Sequence, residues 1–335
     1  MTFDYALIWG GLISLAVLIY VLLDGFDLGV GIIFPFLGGE HHQDLAMNSV
    51  APVWDGNETW LVLGGGGLFA VFPLAYAIFL PAFYAPIIAM LLGLILRGVA
   101  FEYRWRTRRG RFLWDWSFNI GSLIAAFSQG VILGALVQGV AIDGRAYGGG
   151  WWDWLTPFSI IAGIALVVGY SLLGSTWLVM KSYGLMQQRA QTIAWITAIV
   201  VAIMIGIFTI WTPLMQPAYL ERWLSWPSVL IVLPFPILAI MSWLNLLRGL
   251  NDHRDVQPFV SAQALFALCF VVLAISFYPN IIPPSVSIWD AAAPDSSLRF
   301  LLIGSVVLLP IILIYTAYTY HTFRGKVDPS AGYHE

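Results

Sequence analysis

The chain has 335 residues, 60% of them hydrophobic and only 10% charged, with a formal net charge of -3. An average soluble domain carries roughly 25% charged residues, so a chain this poor in charge cannot cover itself with a polar surface and reads as an integral membrane protein. No basic face with interleaved aromatics points to nucleic acid. The single cysteine, Cys269, excludes a disulfide framework or a thiolate metal site within one chain.

In chain order, nine apolar segments approach the ~20-residue length that a bilayer crossing requires. They run from Tyr5 to Gly31, Trp54 to Val71, Ala75 to Arg97, Trp116 to Gln138, Trp154 to Met180, Ala190 to Ile210, Pro227 to Leu247, Phe259 to Tyr278 and Phe300 to Tyr320. The first lacks the basic region and cleavage site of a secretory signal, so it is expected to be retained as a span. Only Phe72-Pro73-Leu74 separates the second and third, and Pro73 and Pro81 mark the break there. No soluble domain or repeat interrupts residues 1–335, which read as a single polytopic membrane domain.

Charge placement supports the count. Arg104, Arg106, Arg108, Arg109 and Arg111 follow the third segment, Lys181 and Arg189 the fifth, Arg248 and Arg254 the seventh, and Arg324 and Lys326 the ninth. With nine crossings these connections share one side and hold 11 of the 15 Lys and Arg residues. The positive-inside bias then predicts a periplasmic N-terminus and a cytoplasmic C-terminus.

The same topology gathers the rare ionisable groups at one depth. The first segment ends in Asp24-Gly25-Phe26-Asp27, the second starts with Trp54-Asp55-Gly56-Asn57-Glu58-Thr59-Trp60, and the third reaches Arg97 and then Glu102. Asp55 and Glu58, three residues apart on a helix, share a face. Two readings stay open for this run: a functional carboxylate pair, or a polar helix start with Asp55 as cap and the two Trp as interfacial anchors. Arg97, after Leu91-Leu92-Gly93-Leu94-Ile95-Leu96, is expected to pair with Asp27, Asp55 or Glu102, since a central Arg costs about 2.5 to 3.5 kcal/mol on insertion scales. Gly25 and Gly29, and the run Gly64 to Gly67, predict close helix packing.

All five histidines, His41, His42, His253, His321 and His334, lie in connections or at segment ends. A haem held wholly within this chain is therefore not expected, because buried haem needs His, Met, Cys or Tyr ligation. His41-His42 beside Glu40 and Asp44 reads as a solvated loop rather than a metal site.

Three motifs carry a family resemblance: Asp24-Gly25-Phe26-Asp27-Leu28-Gly29-Val30-Gly31, Asn48-Ser49-Val50-Ala51-Pro52-Val53-Trp54-Asp55-Gly56-Asn57-Glu58-Thr59-Trp60, and Arg97-Gly98-Val99-Ala100-Phe101-Glu102-Tyr103-Arg104. Together with Tyr278-Pro279 and Trp289-Asp290-Ala291, they make the chain resemble subunit II of the cytochrome bd quinol oxidases, with Glu58-Thr59 most similar to the cyanide-insensitive branch. The resemblance implies an all-α fold of two four-helix bundles plus one additional helix in the bacterial cytoplasmic membrane. It also implies a complex that oxidises quinol and reduces dioxygen to water. Its haem b groups, and its haem d or a substituting haem b, belong to a partner, subunit I; this chain binds none alone and is the scaffold. In some members subunit II also holds a bound quinone, and a small accessory transmembrane subunit joins the complex. By the same resemblance, protons enter from the cytoplasm by way of Glu102, Asp55 and, less directly, Glu58. Asp24, Asp27, Arg97, Trp54 and Asn57 form a supporting polar network. The residues alone also suit an ion-coupled secondary transporter, which places carboxylates among glycine- and proline-interrupted helices.

Overall fold

The computed structural model describes residues 3–107 and 109–327. Arg108 and His334, both counted above, lie outside the described residues. Fourteen helices are described: α1 (Tyr5–Ile33), α2 (Glu40–Val50), α3 (Trp54–Val71), α4 (Pro73–Ala82), α5 (Tyr84–Tyr103), α6 (Arg111–Gln138), α7 (Pro157–Lys181), α8 (Gly184–Met215), α9 (Pro217–Leu224), α10 (Ser228–Val232), α11 (Pro234–Asn251), α12 (Gln257–Phe277), α13 (Ile288–Ala291) and α14 (Asp295–Thr322). The fold is built of helices, as expected, and two small hairpins lie in its connections: β1 (Ile142–Asp143) with β2 (Ala146–Tyr147), and β3 (Asn280–Ile282) with β4 (Val286–Ser287). Gly144, at φ +58°, opens the two-residue turn between β1 and β2, a position that glycine adopts without strain.

Eight helical segments among the described residues are long and apolar enough to cross a membrane: Tyr5–Leu37, Tyr84–Tyr103, Arg111–Gln138, Pro157–Lys181, Gly184–Met215, Ser228–Asn251, Gln257–Phe277 and Asp295–Thr322. The second expected span, α3, is not among them, because Asp55, Asn57 and Glu58 in its first turns dilute its hydropathy. It nevertheless runs antiparallel to α1 along most of that helix. Asn57 meets Asp27 near one end, and Val71 joins Ala6 and Trp9 at the other. The third expected span, from Ala75 to Arg97, is broken at Phe83 into α4 and α5. Pro86 has no N–H to bond back to Ala82, so a continuous helix through this point would lose a rung. The helix that crosses is α5, and it continues past Arg97 to Tyr103. Arg97 is thereby set about 9 Å, at 1.5 Å per residue, inside the helix end.

Helix α1 packs against α3, α6 and α7, and α5 lies along α6; α7 meets α8 and α12, and α11 meets α12. The groups α1, α3, α5, α6 and α7, α8, α11, α12 are thus joined where α7 packs against both α1 and α6, with α14 resting on the outside against α1 and α3. The α1–α7 seam is a backbone contact. A Cβ on Gly29 would run into the Tyr170 carbonyl, one on Gly174 would strike the Gly29–Val30 peptide, and one on Gly25 would stand 2.9 Å from the Tyr170 ring. Of the four consecutive glycines in α3, only Gly64 and Gly67 face α1, toward Val17 and Ile13; Gly65 and Gly66 meet nothing within 4 Å.

Both hairpins lie at the end of the bundle opposite Arg97, here the hairpin end. There Asp4 caps α1 by accepting from the Leu7 N–H and also accepts from Trp289 Nε1 at 2.9 Å. These two donors, the backbone one foremost, hold its carboxyl below the usual carboxylate value. Gly29→Ala is expected to cost about 1–3 kcal/mol by overpacking, read as a lower thermal midpoint of the detergent-solubilised protein. Gly66→Ala, which meets open space, should leave the midpoint unchanged or raise it.

Candidate functional site

The ionisable residues converge at the other end of the bundle, the basic end, on Arg97. This side chain is fully buried, and Nη2 donates to Asp24 Oδ1 at 2.7 Å and to Glu58 Oε2 at 3.2 Å. Helices α1, α3 and α5 are tied together through one guanidinium. The partners differ from the expected Asp27, Asp55 or Glu102. With α5 extending past Arg97, the side chain cannot snorkel, and the acid that reaches it is the one on the α1 face turned toward α5. The Trp54 ring lies 5.8 Å from the guanidinium carbon and stacks on Phe101 at 4.6 Å with a 7° interplanar angle, closing the site on one side.

Asp27, one turn beyond Asp24, is equally buried and accepts from Asn57 Nδ2 at 2.6 Å. Asn57 Oδ1 in turn accepts from the Tyr320 hydroxyl at 2.9 Å, which brings α14 to the same site. Two carboxyl groups, Asp24 and Glu58, therefore share one cation, and a third, Asp27, stands beside them on Asn57. Asp24 Oδ2, Asp27 Oδ1, and Arg97 Nε and Nη1 have no protein partner among the described residues. Buried polar atoms of this kind bind ordered water.

Asp55 and Glu102 are placed differently. Asp55 is exposed, and its side chain has no hydrogen bond or ion pair among the described residues. Glu102 is 53% exposed and lies 3.8 Å from Arg106, one turn along the same chain segment. Neither enters the Arg97 cluster, and no hydrogen bond or ion pair links them to each other among the described residues. Both stand on open faces. On α3 the exposed stripe runs Asp55, Thr59, Val62, Gly66 and Phe69, and on α5 it runs Tyr84, Ile88, Leu91, Ile95, Val99 and Glu102. Of the second helix's two acids, Glu58 turns inward and Asp55 outward.

A second buried ion cluster escaped the sequence reading. Arg104, fully buried, donates through Nη1 to Asp44 at 2.7 Å and through Nε to Asp115 at 2.5 Å, and Arg111 also pairs with Asp44. The Phe34 and Trp105 rings lie 5.4 and 5.2 Å from the Arg104 guanidinium carbon. Arg104 and Arg111 had been read only as topology-setting charges, and Asp44 only as a neighbour of His41-His42. The available signal was Asp115, an acid in the first turns of the next apolar segment, where a charge is expensive unless paired.

Among the described residues no pair of histidines is placed to hold a haem between helices. His41, His42 and His253 occupy the connections, and His321 sits in the last turn of α14, so no two described histidines face each other inside a bundle. His42 Nδ1 is engaged by the Leu37 and Gly38 carbonyls. No described group of three or more His, Cys, Asp and Glu residues has metal-binding geometry.

With the geometry in view, comparison with known proteins identifies the family. Residues 5–323 match the family described as cytochrome bd terminal oxidase subunit II. The chain belongs to that family. It is 30% identical over 357 residues to the cytochrome bd-I ubiquinol oxidase subunit 2 of Escherichia coli strain K12, covering 96% of this chain and 94% of that one. It is 28% identical to the cytochrome bd ubiquinol oxidase subunit 2 of Bacillus subtilis strain 168, covering 96% of each. In three dimensions it is similar to a chain of the bd oxidase from Geobacillus thermodenitrificans, with a TM-score of 0.76, 15% identity and coverage of 96% and 99%. That likeness concerns the fold. Eight apolar helices together with membership in this family make the chain a multi-pass protein of the bacterial inner membrane. The transporter alternative does not survive: the family is that of a terminal oxidase, and the acids cluster at one end of the bundle rather than midway along it.

Arg97→Gln leaves Asp24 buried without its cation and is expected to cost about 3–5 kcal/mol, measured as loss of folded protein and of thermal midpoint. Adding Asp24→Asn should recover part of that loss, because the two side chains act as one unit.

Proposed function

We propose that this chain is the haem-free subunit of a membrane complex that oxidises quinol and reduces dioxygen to water, with the haem groups held by subunit I. The match over residues 5–323 to a terminal oxidase subunit carries the reading, and relatives named as ubiquinol oxidase subunits support quinol as the reductant. The absence of facing histidines in the described bundles agrees with a scaffold role.

We further propose that the basic end faces the cytoplasm and that its acids take up protons consumed at the partner's active site. Reducing dioxygen to water takes four electrons and four protons, so a continuous supply is part of the chemistry. In this reading Glu102 and Asp55 receive protons on the open faces of α5 and α3, and Asp55 delivers them across that face into subunit I. The position of Asp55 supports this. It is an unpaired carboxylate on an exposed helix stripe that includes Val62, Gly66 and Phe69, a surface suited to a packed neighbour. Glu58 lies three residues on, half-buried with its side chain 25% exposed, and links that face to Arg97. Two carboxyls on one guanidinium, with Asp27 beside them, gather titratable groups next to that face. Asp24, Asp27, Arg97, Trp54 and Asn57 hold the helix ends at fixed separation. Asp55 is then the delivering group and the Arg97 cluster its positioning support.

Asp55→Asn keeps the size and hydrogen-bonding capacity of the side chain and removes the titratable proton. Quinol-dependent oxygen consumption is expected to fall by at least about tenfold, the lower range for losing a positioned proton-transfer group, with haem content and subunit ratio unchanged. Undiminished turnover in a fully assembled variant would remove the delivery role. Loss of haem or of the partner before loss of turnover would make Asp55 an assembly residue instead.

A further inference from the structure

A cavity of about 140 Å³ opens at the basic end, apart from the Arg97 cluster, between α2 and the junction of α7 with α8. Its polar lining comes from His41, His42, Ser49, Lys181, Ser182 and Tyr183, and Val327 forms one wall. No Asp or Glu lines it. Glu40, the residue before His41, is exposed and does not line it; Asp44 pairs with Arg104 and Arg111, and Asp255 with Lys326 at 2.9 Å and Gln187 at 2.6 Å.

Lys181 sets the character of the cavity. The residue is only 7% exposed, and its Nζ donates to the Phe323 carbonyl at 2.7 Å and lies 4.8 Å from the Trp177 ring centre. An ammonium has three protons to donate. A carbonyl and a π face offset part of its desolvation, yet it has no carboxylate partner among the described residues. Burying a cation without a counter-ion costs several kcal/mol. His42 Nδ1 is bonded to carbonyls, which can only accept, so that nitrogen carries the proton and Nε2 is left for another partner. The buried ammonium and the lack of any carboxylate in the lining disfavour a metal cation and favour an anion. The volume is below the ~300–1,000 Å³ typical of sites for drug-sized ligands, so the occupant is a small group.

We propose that this cavity binds a phosphate oxyanion, as inorganic phosphate or as the headgroup of an anionic phospholipid, with Lys181 and His41 as its donors. Occupancy would brace three parts of the basic end. Lys181 already accepts the Val327 N–H on its carbonyl at 2.8 Å and holds Phe323 through Nζ, so the stretch after α14 is pinned to the end of α7 beside the cavity.

The test uses the purified intact complex. Inorganic phosphate is titrated calorimetrically in detergent against chloride at equal ionic strength, and native mass spectrometry counts phosphatidylglycerol retained from nanodiscs against phosphatidylcholine controls. Saturable phosphate binding supports the site with a free ion as its source, and selective phosphatidylglycerol retention supports it with a headgroup as its source. Lys181→Met is expected to weaken whichever is bound by roughly 10- to 150-fold, the worth of a hydrogen bond to a charged group. Because Lys181 also anchors the last described stretch, His41→Gln at an exposed position provides the second variant, expected to weaken binding about two- to fivefold. The proposal is overturned if neither ligand binds saturably, or if the His41 variant, together with any Lys181 variant that assembles, binds as tightly as the parent.

Discussion

The ion pair between Arg97 and Asp24 is the constraint around which the basic end is built. A guanidinium set well inside α5 cannot reach water, so it is tolerable only beside an anion. That requirement brings the Asp24 face of α1 against α5 and draws Glu58 of α3 into the same contact. Once α3 is rotated to bury Asn57, Asp55 points outward, because residues two apart on a helix lie on nearly opposite sides, and Glu58 stands at the edge between them. One buried interaction therefore divides the acids into an internal set and an external set. The close α1–α7 seam at Gly29 and Gly174 holds the second helix group against the first.

This division separates side chains that hold the bundle end together from side chains left open on its surface. The internal set is tied through Arg97, Asn57 and Tyr320 and links α1, α3, α5 and α14. Asp55 and Glu102 have no such ties inward, and they lie on apolar stripes of α3 and α5 that a packed partner would cover. The Arg104 cluster does for α2 and the start of α6 what Arg97 does for the helices above it. Both clusters place an arginine where a lysine would serve less well, since a planar, permanently charged fork can bridge two carboxylates from different helices.

Much of this was legible along the chain. The level shared by Asp24, Asp27, Glu58, Arg97 and Glu102 followed from segment lengths and basic connections, and the motifs around them resembled the family the chain belongs to. The pairing of Arg97 was not legible. Asp24, one turn before Asp27 on the same helix, is its partner, and which of the two faces α5 depends on how α1 is rotated. The Arg104 cluster was hidden for a related reason: its acids come from α2 and α6, which are remote from each other in sequence and meet only after the 104–111 connection folds back. The break expected at Phe72-Pro73-Leu74 is present, and a second at Phe83 was not legible: Pro81 is tolerated within α4, while Pro86 and the packing of Phe83 in one cluster with Val71, Phe72 and Ala82 set that turn.

The amino-acid order alone determined that the chain lives in a bilayer, where its apolar stretches begin and end, and that its few charges gather at one depth. Depth follows from counting residues at a constant rise per residue, which requires no knowledge of neighbours. Tertiary structure decided which side of each helix faces inward, and so which carboxylate holds the arginine and which stands open. Rotation about a helix axis is set by contacts between helices distant in sequence: glycine seams, buried ion pairs and a single amide that reaches across.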